Sequence, residues 1–375
     1  MVDCLIVGAG IIGLSLAWEL AQRGRSVQVI DRGEPGREAS WAGAGMLPPA
    51  KRQRAIHPLD QLHAISHELH PHWAQKLLAE TGVDNGYRPC GAIYVARSAG
   101  EVASLTAAVE SWREDGIVVE PIFVEDLAAF EPALGASSTD APIRSCFLLP
   151  EESQLRNPRH MKALYAACLR SGVEVTSAEE ALAFDIHNGS IVAVRTTHRA
   201  WSARQICLCS GAWTGALLQQ LGVSNGIDPV RGQIVLFRCE RPLLNRIVIE
   251  GQRYLVPRDD GRILAGSTME EVGFDKRTTE DGVNALIRFA RQLVPLLCGA
   301  EIECAWAGLR PGTFDGMPYL GRIPGLSNAF VAAGHFRNGV QLAPATGVEM
   351  AKLMCGEPND VDLKPFHVGR RRDFN

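Results

Sequence analysis

The 375-residue sequence predicts an α/β fold in two units, the first with parallel strands alternating with helices and the second an α+β unit on a mostly antiparallel sheet. Three observations predict it. The chain opens with an apolar run, a glycine turn, a helical stretch and a second apolar run; residues at about 226–270 alternate in polarity; and the length exceeds what one compact core usually serves.

Residues 3–8 form a short apolar run that ends at Gly8, and Ile11, Leu14, Ala17, Leu20 and Ala21 then recur at helical spacing up to Gly24. VQVID at 27–31 supplies a second strand that ends in an acid, which closes a βαβ unit of about 30 residues. The segment from Glu101 to Asp115 reads as an amphipathic helix. Asn157 and Pro158 read as the N-cap and first residue of a helix that runs through Met161, Leu164, Tyr165, Cys168 and Leu169 to Gly172, with a strand expected from Val173. In the middle stretch Ile234 and Leu236 face one way and Val235 and Phe237 the other, as in a sheet covered on both faces. A last amphipathic helix from Thr279 to Val294 opens with Thr278 and Asp281 in a capping-box arrangement.

Composition excludes several partner classes. The net charge is -4, from 42 acidic and 38 basic residues, and the only basic block is Arg370, Arg371 and Arg372, read as a solvated tail. Neither nucleic acid nor an anionic membrane is expected as a partner. No charged leader precedes the first strand and no apolar run reaches membrane-spanning length, so a cytoplasmic location is expected. The ten cysteines are scattered without a CxxC, which predicts buried reduced thiols and no metal site. A homo-oligomer is the expected assembly.

Gly8, Gly10 and Gly13 form GxGxxG between a strand and a helix. The first glycine allows the tight turn, the second lets backbone approach a pyrophosphate, and the third lets helix pack on strand. The helix N-terminus then offers unpaired N–H groups and a positive dipole end to the phosphates. Asp31, 18 residues after Gly13, stands where a carboxylate accepts hydrogen bonds from both ribose hydroxyls. The opening is therefore a Rossmann-type dinucleotide-binding unit, and the acid suits NAD or FAD while it repels the 2'-phosphate of NADP.

Five segments carry a resemblance across the whole chain: VGAGIIGLSLAWELAQRG at 7–24, ASWAGAGMLPPA at 39–50, RYLVPR at 253–258, WAGLRPGTFDGMPYLGR at 306–322 and AAGHFRNGVQLAPATG at 332–347. Together they resemble the glycine oxidase branch of the D-amino-acid oxidase family of flavoproteins, which includes members that feed thiazole biosynthesis. The resemblance implies noncovalent FAD held by Gly8, Gly10, Ile12, Gly13, Asp31, Arg32, Ser40 and Gly211. It further implies that Ala44, Gly45, Met46 and Leu47 run beside the isoalloxazine ring, and that His335, Arg337, Asn338, Gly339, Val340 and Gln341 present backbone N–H groups to its pyrimidine side. Donors there stabilise the negative charge of the reduced ring. Cys304 is read as a core residue rather than a flavin attachment point. Expected domains are 1–85, 145–222 and 307–375 for FAD, and 86–144 and 223–306 for substrate.

An amino-acid carboxylate is best held by a planar guanidinium. By the resemblance Arg310 does so, from an ordered loop entrance formed with Pro311 and Gly312, although a lone arginine otherwise reads as a surface salt bridge. Tyr254 corresponds to a tyrosine that assists, and Arg337 to a second pocket arginine that could equally neutralise the flavin or anchor its own loop. Met46 and Met269 correspond to residues lining a narrow pocket, though methionines also fill core gaps. Gln252 and Arg253 depart from relatives that sometimes carry a histidine there, which leaves pocket polarity open. The implied activity is oxidative deamination of glycine and other small amines or D-amino acids. A hydride passes from Cα to flavin N5, O2 is reduced to H2O2, and the imine is hydrolysed or handed to a thiazole-forming enzyme. The alternatives are a dehydrogenase of D-amino or N-methyl amino acids with another electron acceptor, and a flavin-binding protein without turnover.

Overall fold

A computed structural model describes residues 1–134 and 142–370. Arg371 and Arg372 of the expected tail lie outside the described residues. Arg370 does not behave as a solvated tail: its guanidinium pairs with Asp315 at 2.7 Å and lies 4.0 Å from the Tyr319 ring centre.

The chain builds two large sheets. The first has six strands in the order Tyr319–Arg322, Ala329–Ala333, Ala203–Leu208, Val2–Val7, Val27–Ile30 and Glu174–Thr176, and all neighbours run parallel except the pair containing Tyr319–Arg322. Successive residues of its first strand point to opposite faces. Cys4 and Ile6 pack into a core shared with the helices Ile11–Gln22, Pro58–Thr81, Asn157–Arg170 and Gly339–Cys355. Leu5 and Val7 pack beneath the helix Thr214–Gln220 and a three-stranded antiparallel sheet formed by residues 181–201.

The second sheet has eight strands in the order Glu301–Gly312, Asp228–Arg238, Arg262–Gly266, Arg253–Pro257, Ile247–Glu250, Ala92–Ala96, Ser145–Leu149 and Glu120–Ile122. Its neighbours are antiparallel except Ile247–Glu250 beside Ala92–Ala96. The alternation in the long strand sorts as expected. Val235 and Phe237 join Leu286 and Phe289 of the helix Glu280–Leu293 in one core, whereas Ile234 packs on the other face with Tyr254, Val256 and Leu264. One strand crosses an expected domain break, since Glu301–Gly312 continues unbroken through 306/307, and Ser145–Leu149, expected with the FAD segments, runs in this sheet.

Local details differ from the sequence reading where side chains had more than one backbone target. The helix at 157–170 takes Arg156 as its N-cap, because the Asn157 amide is drawn away to the Ser40 carbonyl at 2.7 Å. The helix Glu280–Leu293 is capped by Thr279, which accepts the Gly282 N–H, and not by a Thr278–Asp281 box. The segment expected from Glu101 starts two residues earlier, with Ser98 and Glu101 forming the capping box. The 24-residue helix Pro58–Thr81, with Pro71 inside it, escaped the sequence reading because only seven of its residues are buried and its apolar spacing is irregular. Among the described residues all ten cysteines are unpaired in disulfides; Cys298 and Cys304 are exposed, so the expectation of a buried Cys304 is corrected. Cys304 lies on the edge strand of the eight-stranded sheet, where the outer end has no neighbour to cover it. No helix among the described residues is long and apolar enough to cross a membrane.

Candidate functional site

The first strand reverses at Gly8, whose φ of +115° is a conformation that favours glycine. A Cβ on Gly8 would stand 2.5 Å from the Cys209 carbonyl oxygen, and one on Gly13 would stand 1.9 Å from the Gly8 oxygen. Close approach therefore requires both glycines. Gly10 caps the first helix, and Ser40 Oγ accepts the Ile11 N–H at 2.9 Å. The N–H groups of Ile12 and Gly13 precede the first helical bond, made by Leu14 to the Gly10 carbonyl, and so remain for a ligand. Asp31 accepts the Ala9 N–H at 2.7 Å and the Gly33 N–H at 2.8 Å. Burial raises its pKa above the ordinary carboxylate value, opposed by these two bonds.

A cavity of about 340 Å³ opens over this turn. Of the residues that the resemblance implied for FAD, Gly8, Gly10, Ile12, Asp31, Arg32, Ser40, Gly211, His335, Arg337, Gly339 and Val340 line it. Gly13, Asn338 and Gln341 stand behind the lining; Asn338 caps the helix Gly339–Cys355, and Gln341 donates to the Pro48 carbonyl at 3.1 Å. The N-terminus of that helix borders the cavity opposite the Gly8 turn, and its first bond runs from Leu342 to the Asn338 carbonyl, which leaves the N–H groups of Gly339, Val340 and Gln341 without helical acceptors. Burial pushes the His335 pKa down to about 3, so its imidazole is neutral and shares a 3.0 Å hydrogen bond with Thr346 Oγ1.

Sequence reasoning missed one wall. Trp213 lines the cavity with Arg32 stacked 3.5 Å above its ring centre, and Phe274 packs on Trp213 at 5.4 Å. Lys276 binds both oxygens of Glu38 at 3.0 Å. The segment carrying Phe274 and Lys276 leaves the eight-stranded sheet, where Glu270 holds Gln233 at 2.7 Å and also pairs with Arg231. It thereby ties the two sheets together across the cavity rim. No local pattern announces these contacts.

A second cavity of about 110 Å³ adjoins the first, sharing Ala39, Gly43, Arg310, Arg337 and Val340. Ala44, Gly45, Met46 and Tyr254 line it. Leu47 does not; it is buried and pairs through its backbone with Ser153. Arg310 comes from within the strand Glu301–Gly312 rather than from a loop entrance, since Pro311 and Gly312 continue the pairing with Asp228–Arg238. Its guanidinium donates to the Thr268 carbonyl at 3.2 Å and to Ser267 Oγ at 2.7 Å. Burial lowers its pKa, with Arg337 adding to the effect and Tyr254 opposing it. The lining holds two guanidiniums and one phenol but no carboxylate, an arrangement that attracts a small anion.

Met269 is corrected. Its side chain is 59% exposed and lines neither cavity. Thr268 and Glu270 on either side turn inward to Arg310, Gln233 and Arg231, and the residue between them points outward. Arg337 is exposed on its loop and bonds Gln252 Oε1, which ties the departure at 252 to the pocket rim. Arg253 lies 5.6 Å over Phe289 on the far face of the sheet.

Two glycines that the sequence reading passed over make the room. A Cβ on Gly232 would meet the Arg310 nitrogens at 2.2 Å, and one on Gly266 would meet the Tyr254 ring at 2.5 Å. An isolated glycine inside a strand is the signal of such close approach, and both were visible on that ground.

The sequence pattern of a family described as DAO, FAD dependent oxidoreductase, matches residues 3–353. The chain is 35% identical to the glycine oxidase of Pseudomonas aeruginosa, covering 96% of this chain and 97% of that protein. It is 31% identical to a bifunctional protein ThiO/ThiG of Trichormus variabilis over 98% of this chain but 55% of that protein. The crystal structure of glycine oxidase from Geobacillus kaustophilus superposes with a TM-score of 0.92 at 33% identity, covering 99% of both chains.

Gly232→Ala is expected to leave the fold intact, because the flexible guanidinium tip can move aside, and to weaken binding of a small carboxylate probe such as acetate by about tenfold or more. Calorimetric titration of the variant measures this. Equal affinity in wild type and variant would show that Arg310 does not hold the anion.

Proposed function

Because the chain belongs to the DAO family of FAD-dependent oxidoreductases, we propose that it is an amino-acid oxidase that deaminates glycine and other small amines or D-amino acids. The observation that carries the proposal is the small cavity with Arg310, Arg337 and Tyr254 and no carboxylate, opening directly into the dinucleotide cavity.

The residues present fit FAD. Gly8 and Gly13 leave no side chain over the turn, two N–H groups of the first helix are free, Asp31 faces the cavity, and a second helix N-terminus borders it. In this reading Gly8, Gly10, Ile12, Arg32, Ser40 and Gly211 hold the nucleotide portion together with Asp31. Ala44, Gly45, Met46, His335, Arg337, Gly339 and Val340 surround the redox-active portion. Cys209 is the cysteine lining the cavity, and it packs against the Gly8 turn with its Sγ 3.7 Å from that of Cys207, so noncovalent binding is proposed. When bound there, FAD would supply two-electron redox chemistry, with the hydride lost from the substrate Cα as its input and reduction of O2 to hydrogen peroxide as its output.

The protein's part is binding and orientation. Arg310 pairs with the substrate carboxylate through its planar fork while Ser267 and the Thr268 carbonyl hold that fork in place, and Tyr254 adds a hydroxyl. The small volume and the Met46 side chain favour short substrates. Water hydrolyses the imine to a keto acid, or to an aldehyde acid in the case of glycine, and ammonia, unless a partner takes it. The bifunctional relative, just over half of which matches this chain, supports a hand-off of the imine to a thiazole-forming enzyme. The free cysteines support a cytoplasmic location.

An oxygen electrode tests the activity. Glycine, sarcosine, D-alanine and D-proline are added to the yellow protein, and O2 uptake with glycine is expected; flavin that bleaches anaerobically without O2 uptake would point to a different acceptor, and no bleaching would reject the oxidation itself.

Asp31→Ala is expected to weaken FAD binding by about 1.5 to 3 kcal/mol through lost charge-assisted bonds, with turnover of the flavin-saturated enzyme nearly unchanged. Titration of apoprotein with FAD reads this, and an unchanged dissociation constant would remove Asp31 from the cofactor site.

For Arg310→Ala, the carboxylate loses its partner in a largely dry pocket, a cost of roughly 3 to 5 kcal/mol by analogy with broken buried pairs. kcat/KM for glycine should fall by about two to four orders of magnitude in flavin-saturated protein. Arg310→Lys should restore little, since a point charge cannot reproduce the fork. Near-normal turnover by Arg310→Ala would move the carboxylate clamp elsewhere, with Arg337 next in line.

A further inference from the structure

A third cavity, of about 230 Å³, lies where the turn after Asp84, the start of the helix Asn157–Arg170 and the turn Arg258–Asp260 converge. It shares no lining residue with the two cavities already described. Four arginines line it, Arg88, Arg156, Arg159 and Arg258, together with Asp259 and Asp260, which leaves a surplus of two positive charges.

The two carboxylates offset little of this charge inside the cavity. Asp260 is shared between Arg156 at 2.6 Å and Arg262 at 3.0 Å, the latter from outside the lining. Asp259 pairs with Arg88, but its side chain is 78% exposed and screened by water. Arg159 makes no hydrogen bond or ion pair to any described residue. Arg258 is only 7% exposed, and its bonds go to neutral acceptors alone: Gln154 Oε1 at 2.6 Å, the Leu155 carbonyl at 3.0 Å and the Ala44 carbonyl at 2.7 Å. Burial first, and then the neighbouring Arg156 and Arg88, push its pKa down to about 10. The helix dipole has the same sign, since Arg156 is the N-cap and Arg159 lies in the first turn of a 14-residue helix. A buried guanidinium without a carboxylate, beside an unpaired one and a helix N-terminus, is an incomplete ion pair.

We propose that this cavity binds a phosphate group, whose dianionic charge matches the surplus and whose tetrahedral oxygens suit donors converging from three separate chain segments. Arg159 and Arg88 meet the anion from the open side and Arg258 from the buried side. Through its bond to the Ala44 carbonyl, Arg258 connects the occupied site to the wall of the small cavity. The inference does not depend on the oxidase reading.

The test is calorimetric titration of the FAD-loaded protein with inorganic phosphate at constant ionic strength, alongside the phosphomonoester glycerol phosphate and with sodium chloride as control. Loading with FAD keeps the dinucleotide site filled. Saturable phosphate binding is expected, and Arg159→Glu, at an exposed position without a partner among the described residues, should weaken it by about tenfold or more while melting temperature and FAD content stay unchanged. Tighter binding of the ester assigns the source to a phosphorylated metabolite, and equal or weaker binding assigns it to free phosphate. Absence of saturable binding would overturn the proposal, as would phosphate affinity unaltered in Arg159→Glu, which would place the anion elsewhere on the protein.

Discussion

The structure turns on keeping one guanidinium partly dry and unpaired where two cavities meet. Arg310 sits in a long strand whose neighbour must carry a glycine at 232 for the side chain to lie flat, and its other contacts are a hydroxyl and a carbonyl rather than a carboxylate. Burial disfavours such a charge unless an anion completes it. The charge is therefore a stored preference for a ligand, and the surrounding strands hold it at a fixed place. Gly266 does for Tyr254 what Gly232 does for Arg310.

Fixing that charge is useful only if the dinucleotide cavity is fixed relative to it. The parallel sheet places the Gly8 turn at the end of its central strands, while the antiparallel sheet brings Arg310 to the shared wall. The two are linked by the segment 270–276. At its root, Glu270 is bound to Arg231 and Gln233, which flank Gly232 in sequence; farther along, Phe274 packs on Trp213 and Lys276 pairs with Glu38. Displacement of this segment would disturb both cavities at once. The neutral His335 contributes in a different way, anchoring the loop before the helix Gly339–Cys355 to Thr346 without adding a charge beside the cavity.

The sequence exposed the parts whose physics is local. GxGxxG followed by Asp31 is a turn, a helix end and a strand end within one short stretch, and each glycine had its own steric reason, which the distances at Gly8 and Gly13 bear out. The two-faced strand at 234–237 was equally readable, because alternation survives whatever packs on each face. Caps were less readable. Asn157 and Thr278 were plausible caps, but the Ser40 carbonyl, from over a hundred residues earlier, claimed the first, and Thr279, one residue along, displaced the second.

From the sequence alone came the dinucleotide-binding opening and the second antiparallel unit, because close-packed turns and strand alternation are written in neighbouring residues, whereas Arg310 and Tyr254 were singled out only through the family resemblance. Tertiary structure decided which side chains reach the cavities. It turned Met269 to solvent, left Cys304 exposed on an edge strand, docked Arg370 on Tyr319, and recruited Trp213, Phe274 and Lys276 to the rim. Those outcomes depend on which distant segments compete for each surface, and that competition is settled only when the sheets pack.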